Sequence, residues 1–200
     1  MDGEIYGNYR DRMNMVLEGV ERKLSAIRDE ADGELIEHII SRIKDSESMR
    51  EKCRKKGLPE TPASALGEVT DAIGVRVVCQ FIDDVYEVAG KIREWGDCSI
   101  FKEKDYIKHA KPNGYRSYHM ILVLETDFED VRGELPGHYF VEIQIRTIAM
   151  DSWASLEHQL RYKKDIKNAD LIEAELKRCA GEMASTDVSM QTIRDLIKER

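Results

Sequence analysis

The sequence predicts an α+β fold, a small central sheet with helices at both ends of the chain, and three observations carry that prediction. Apolar residues recur at steps of three and four near the start, short β-branched runs occupy the middle, and the helical period returns after Arg146. Two hundred residues at 23.0 kDa are enough for one domain. A chain of that size buries about 70% of its unfolded surface and folds without a metal or disulfide staple.

From Tyr9 to Arg28, the residues Met13, Val16, Leu17, Val20, Leu24 and Ile27 make one stripe of an amphipathic helix. Leu35, Ile36, Ile39, Ile40 and Ile43 repeat that spacing and predict a second, shorter helix. Ile73 to Ile82 is too short and too β-branched for a helix and reads as a buried strand. Asp83 is expected to cap a helix running to about Trp95. Ser117 to Leu124 and His138 to Arg146 read as strands, and the stretch from Ser99 to Arg116, with Pro112-Asn113-Gly114 in it, as loop. Helical patterning resumes around Met150 to Leu160 and again from Ala169 to the C-terminus, where Ile172, Leu176, Ala180, Met183, Met190, Ile193 and Ile197 are interleaved with charges. The single domain thus divides into N-terminal helices over 1–40, a core over 41–165 and a C-terminal helix over 166–200.

With 42% apolar and 35% charged residues the chain belongs to the ordinary globular class. A net charge of −8 and a pI near 5.3 argue against a protein that coats DNA, so any anion site must be local. Nothing at the start reads as a targeting segment, and apolar runs such as Met120 to Leu124 fall far short of the roughly 20 residues that span a bilayer. The four cysteines form neither C-x-x-C nor a zinc spacing, which predicts free thiols and a cytoplasmic address.

Three features carry chemistry. Between Arg42 and Lys56 seven basic residues (Arg42, Lys44, Arg50, Lys52, Arg54, Lys55, Lys56) stand against three acidic ones in an otherwise acidic chain. That is either a solvated helix face or a seat for a polyanion, and with no glycine-rich phosphate loop in the sequence the side chains themselves would have to hold the phosphates. In Tyr139 to Arg146, period two puts Glu142, Gln144 and Arg146 on one face, which suits an exposed sheet face or the floor of a polar cleft. Asp71, just before the Ile73 strand, either punctuates the chain or joins Glu142 in holding Mg²⁺, an ion that prefers oxygen ligands. In Lys111-Pro-Asn-Gly-Tyr-Arg-Ser-Tyr-His119 a tyrosine beside cations offers either a core anchor or a ring on which a base could stack.

Together these stretches resemble the synthetase domain of the RelA/SpoT family, most closely its stand-alone members, the small alarmone synthetases. The resemblance runs in order through Arg42-x-Lys44-x-x-x-Ser48-x-x-x-Lys52, Asp71-Ala-Ile-Gly-Val-Arg76, Lys111-Pro-Asn-Gly-Tyr-Arg-Ser-x-His119, Glu142-Ile-Gln-Ile-Arg-Thr147, Trp153-Ala-Ser-Leu-Glu-His158 and Tyr162-Lys163. It implies a nucleotidyltransferase-like mixed sheet that transfers the β,γ-pyrophosphate of ATP to the ribose 3′-hydroxyl of GDP or GTP, giving AMP and ppGpp or pppGpp. By resemblance, Asp71 and Glu142 would hold Mg²⁺, with Glu142 also accepting the proton of the attacking hydroxyl. Arg42 and Arg76 would sandwich adenine, and Lys44, Ser48, Lys52, Arg54 and Lys56 would neutralise the ATP phosphates. Tyr115 would stack on guanine, Lys111 and His119 would meet the acceptor phosphates, and Gln144 and Asp151 would orient the guanosine.

The resemblance also sets limits. No hydrolase region precedes the synthetase motifs, so synthesis without degradation is expected. His38-Ile-Ile-Ser41 stands where the tetrameric branch carries a Phe-x-Thr-Gly stretch of an allosteric site, which argues against that feedback, and Met49 replaces the usual Ile at similar volume. Three other functions fit parts of the pattern: a toxin acting on tRNA 3′ ends or adenosine nucleotides, a non-catalytic guanine-nucleotide sensor, and a helical scaffold. The acidic total argues mildly against tRNA, and the paired acids argue against a pure binder. The apolar stripes of the first and last helices predict a homo-oligomer, and the resemblance favours a tetramer.

Overall fold

The computed structural model describes residues 4–31, 33–161 and 168–198. Its elements run α1 (Arg10–Glu30), β1 (Ile36–Ile43), α2 (Ser46–Lys55), α3 (Pro62–Gly67), β2 (Ile73–Cys79), α4 (Ile82–Arg93), β3 (Cys98–Asp105), β4 (Tyr118–Thr126), β5 (Gly137–Thr147), α5 (Ile148–Arg161) and α6 (Ala169–Lys198). The strands form one mixed sheet in the order β1-β2-β5-β4-β3, in which only the β2–β5 pair is parallel. Parallel neighbours cannot be joined by a tight turn. The chain between them spends that length on α4 and the antiparallel β3–β4 pair.

Helix α1 buries the stripe its spacing predicts, Met13, Val16, Val20, Leu24 and Ile27. These join Val85, Val88 and Ile92 of α4, Val75 and Val77 of β2, Met120 and Leu122 of β4, and Val141, Ile143 and Ile145 of β5 in one buried cluster. Alternation therefore leaves the opposite face of β2, β4 and β5 to the polar members of each strand. The α+β class and flanking helices are as the sequence predicts.

Three local expectations are corrected. The run from Leu35 to Ile43 is not a helix; residues 36–43 form β1, which pairs antiparallel with β2 from Ile36↔Cys79 to Ile43↔Ile73. A run dominated by isoleucine satisfies both periods, and the open edge of β2 decides between them. Ile40 is accordingly 46% exposed, and the Ser41 hydroxyl bonds Glu21 of α1. A boundary at residue 40 thus falls inside a strand. Second, the predicted loop from Ser99 begins as the edge strand β3, whose residues are nearly all exposed and whose register slips between Ile100 and Lys102, so no alternation marks it. Third, β2 ends at Cys79 and α4 is capped by Asp84, whose Oδ2 accepts the Phe81 N–H at 2.9 Å; Asp83 instead accepts from Gln191 and Arg194 of α6. Helix α2 lies within the basic window and starts on Asp45, whose carboxylate accepts the Ser48 N–H at 2.9 Å. Tyr162 and Lys163 lie outside the described residues. Among the described residues no helix is long and apolar enough to cross a membrane.

Candidate active site

Residues paired across neighbouring strands share a sheet face. The registers therefore lay two rows of side chains across the polar face. One reads Arg42, Gly74, Glu142, Ile121, Lys102 and the next Ile40, Arg76, Gln144, His119, Lys104, from β1 to β3. Two cavities lie on this floor. The first, about 200 Å³, is lined among others by Arg42, Lys44, Asp71, Arg76, Glu142 and Gln144. The second, about 230 Å³, is lined among others by Lys102, Lys104, Tyr106, Lys111, His119 and Glu142. Glu142 borders both.

The two acids are held by cations and amides. Asp71 Oδ2 meets Lys44 Nζ at 3.2 Å and Lys52 Nζ more closely. Burial pushes the Glu142 carboxyl up, but His119, with Nδ1 3.4 Å from Oε1, the Gln144 amide at 2.9 Å from Oε2, and the Lys52 charge outweigh it and hold the group down at about 2. Arg76 is pushed down by burial and by the neighbouring Arg146 and Arg42 charges, against the pull of Asp151.

A divalent cation fits this pair of acids. Asp71 Oδ1 is buried and has no hydrogen-bond partner, and its residue lines the same cavity as the ionised Glu142. A buried carboxylate oxygen without a partner, on a residue that shares a cavity with a second carboxylate, is the kind of donor a hard ion such as Mg²⁺ takes. Among the described residues one other group of possible ligands, Asp130, Glu134 and His138, spans the β4–β5 connection and the start of β5. There Asp130 already accepts the backbone N–H groups of Arg132, Glu134 and His138 at 2.8–3.2 Å, which makes it a loop brace.

Of the residues expected to bind a donor nucleotide, Arg42, Lys44 and Arg76 line the first cavity and Lys52 reaches it through Asp71. Ser48 lies in the first turn of α2, and Arg54 is turned to Glu47 at 2.7 Å and Glu60 at 3.5 Å. Lys56 is exposed at the C-terminal end of α2. None of these three is on the wall of either cavity. On the acceptor side, Lys111 and His119 line the second cavity. The Tyr115 hydroxyl lies 2.8 Å from His119 Nε2, its ring meets Tyr106 and Trp153 edge-on, and Lys111 Nζ stands 4.6 Å from its centroid. Gln144 donates to Glu142, whereas Asp151 Oδ1 is engaged by two guanidiniums, Arg146 at 2.9 Å and Arg76 at 3.2 Å.

Sequence reasoning missed Lys102, Lys104 and Tyr106, because their stretch read as loop; the i, i+2 spacing of the two lysines was the available signal. Arg146 was placed on the polar strand face without a role, yet it is only 4% exposed and its guanidinium bonds Tyr115, Gln144, Asp151 and Ser117.

Comparison with known proteins gives this arrangement a lineage. Residues 41–167 match the sequence family described as "Region found in RelA / SpoT proteins". The chain is 43% identical over 145 residues to the GTP pyrophosphokinase YwaC of Bacillus subtilis, covering 72% of this chain and 67% of that one. It is 32% identical over 203 residues to the GTP pyrophosphokinase YjbM of the same organism, covering 100% and 93%. The crystal structure of small alarmone synthetase 1 from Bacillus subtilis bound to its product pppGpp superposes with a TM-score of 0.80 at 33% identity, covering 92% of this chain and 94% of that one. The family match over residues 41–167 and the shared fold together show that the chain belongs to the RelA/SpoT family.

Proposed function

We propose that this protein is an alarmone synthetase, a GTP/GDP pyrophosphokinase that moves the β,γ-pyrophosphate of ATP to the ribose 3′-hydroxyl of GDP or GTP. In that reaction the 3′-oxygen bonds to the β-phosphorus while the bond from that phosphorus to the AMP leaving group breaks. The products are AMP and ppGpp or pppGpp. The observation that carries the reading is the position of Glu142, which among the described residues is the one that lines both cavities. An acid there can face a donor phosphate and an acceptor hydroxyl at once. The names of the GTP pyrophosphokinase relatives and the product-bound neighbour support the same reaction.

Phosphoryl-type transfer asks for positioning and charge neutralisation more than for covalent chemistry. Arg42 and Arg76 would hold adenine between their guanidinium planes, a stacking role that lysine cannot fill. Lys44 and Lys52 would turn from Asp71 to the ATP phosphates, with Ser48, Arg54 and Lys56 further along the same segment. Lys102, Lys104, Lys111 and His119 would meet the acceptor phosphates, Tyr115 would stack on guanine, and Gln144 and Asp151 would orient the guanosine. Asp71 and Glu142 would hold Mg²⁺, which supplies positive charge to the phosphates being transferred. A carboxyl held at about 2 is an anion throughout the physiological range and a weak base, so Glu142 would orient the hydroxyl and take its proton only as the bond to phosphorus forms.

The protein would act as a homo-oligomer, a tetramer being favoured, because Leu171, Val188, Met190, Ile193, Leu196 and Ile197 of α6 are all at least half exposed. A sedimentation profile with only a 23.0 kDa species would exclude this. The free thiols of Cys53, Cys79, Cys98 and Cys179 support a cytoplasmic address. Incubation with labelled ATP and, in turn, GDP, GTP and tRNA, followed by product separation, tests the function. Labelled ppGpp or pppGpp is expected; pyrophosphorylated tRNA, adenosine alarmones or nucleotide binding without turnover would each replace the reading.

A further inference from the structure

Arg146 is a buried arginine with all three side-chain nitrogens engaged. Its Nε lies 3.4 Å from Ser117 Oγ, its Nη1 bonds Asp151 Oδ1 at 2.9 Å, and its Nη2 donates to both Tyr115 OH and Gln144 Oε1 at 2.7 Å. Each Nη2 contact opens a path to the same carboxylate. Tyr115 OH is 2.8 Å from His119 Nε2, and His119 Nδ1 is 3.4 Å from Glu142 Oε1. On the other side, Gln144 Nε2 donates to Glu142 Oε2 at 2.9 Å. Five side chains thus close a ring, with Arg146 and Glu142 at opposite poles.

A guanidinium only donates and a carboxylate only accepts. The amide arm is therefore given one sense, Arg146 to Gln144 to Glu142, and with a neutral His119 so is the other, Arg146 to Tyr115 to His119 to Glu142. The Gln144 amide is fixed with its oxygen toward Arg146, and a neutral His119 is fixed with its proton on Nδ1, toward Glu142.

We infer that Arg146 is the positioning residue of the site, aiming the Glu142 carboxylate and presenting Tyr115 through two hydrogen-bond arms that both begin on its guanidinium. Lysine keeps the charge but not the planar fork, so it cannot serve Tyr115, Gln144 and Asp151 together. The inference rests on the synthetase reading for the identity of the acceptor, but the ring of contacts does not.

The test compares wild type with Arg146→Lys, Tyr115→Phe and the double variant, measuring kcat and KM for GDP and for ATP. Arg146→Lys is expected to lower kcat/KM for GDP at least about tenfold while KM for ATP stays within about twofold, a split that general destabilisation would not give. Tyr115→Phe keeps the ring and cuts one arm, for a loss of about threefold to tenfold, and adds less than about twofold when Arg146 is already lysine. Losses that multiply in the double variant, equal changes for both substrates, or a wild-type Tyr115→Phe enzyme would each overturn the inference. Should Arg146→Lys fail to fold, Tyr115→Phe alone decides in the same way. A wild-type protein that makes no product overturns the synthetase reading instead, and calorimetric GDP binding by the same variants then decides the role of Arg146.

Discussion

Ala180 of α6 packs so closely over Gly114 that a methyl group placed at Gly114 would lie 2.5 Å from the Ala180 Cβ. Gly114 also has φ +90°, a conformation side chains rarely adopt, and it directly precedes Tyr115. The C-terminal helix is thereby the backing of the turn that presents the acceptor-side tyrosine, and the Trp153 indole N–H, donating to the Leu176 carbonyl at 2.9 Å, holds the same helix against α5. Gly114→Ala is expected to cost about 1–3 kcal/mol of stability and to raise KM for GDP. Adding Ala180→Gly should recover part of the loss by removing the contact while leaving the strained φ. Calorimetric melting of the single and double variants checks this, and an unchanged melting temperature for Gly114→Ala would show that the turn relaxes freely.

Glu142→Gln keeps the shape of the group and removes its charge. The amide keeps one acceptor oxygen, enough for His119 or Gln144 but not for both, and its size is unchanged, so nucleotide affinity is expected to stay within about tenfold, whereas turnover should fall by about 10² or more. Steady-state kinetics beside direct nucleotide binding separate the two. Near-normal turnover would remove Glu142 from the chemistry.

The sheet was legible in the sequence wherever a strand has one buried and one polar face. In β5, Val141, Ile143 and Ile145 alternate with Glu142, Gln144 and Arg146, and that alternation marks a core face and a polar face, while leaving open whether the polar face is an exposed surface or a cleft floor. It was illegible at the edges. The isoleucines of β1 fit a helical stripe as well as a strand, and only the unpaired edge of β2 settles the matter; β3 is exposed along nearly its whole length and has no pattern to read.

The same edges governed the site. Arg42 was singled out for its charge, but its place in one row with Gly74 and Glu142 depends on β1 being a strand. Lys102 and Lys104 were hidden with β3, and the ring from Arg146 to Glu142 joins residues 31 positions apart through contacts that no local spacing encodes.

Tyr115→Ala should weaken acceptor binding by roughly 1–3 kcal/mol, the usual cost of a lost base stack. Lys111 Nζ stands over the ring at 4.6 Å, so a base arriving there must displace it, and part of the stacking energy is offset by that contact. GDP titration of the variant by calorimetry reads the difference, and an unchanged affinity would make the ring purely structural.

Asp187 gives a pH-dependent prediction. Burial pushes its carboxyl above the usual range, against the lowering effects of the Thr147 hydroxyl, which donates to Oδ2 at 2.7 Å, and of the Arg116 charge. A carboxyl raised in the folded state favours folding while protonated and loses that contribution as pH rises through its folded value. Asp187→Asn keeps an acceptor for Thr147, whose own oxygen accepts the Met150 N–H at 3.1 Å at the start of α5, and removes the charge. The variant is therefore expected to melt higher than wild type at neutral pH, with the advantage shrinking toward about pH 4 as the native acid becomes protonated. Asp187→Ala should instead lose about 1–3 kcal/mol at any pH, because the buried Thr147 hydroxyl is left without an acceptor. Thermal melts of the three proteins across that range decide it, and an asparagine variant less stable than wild type at neutral pH would mean that the ionised carboxylate is favoured where it sits.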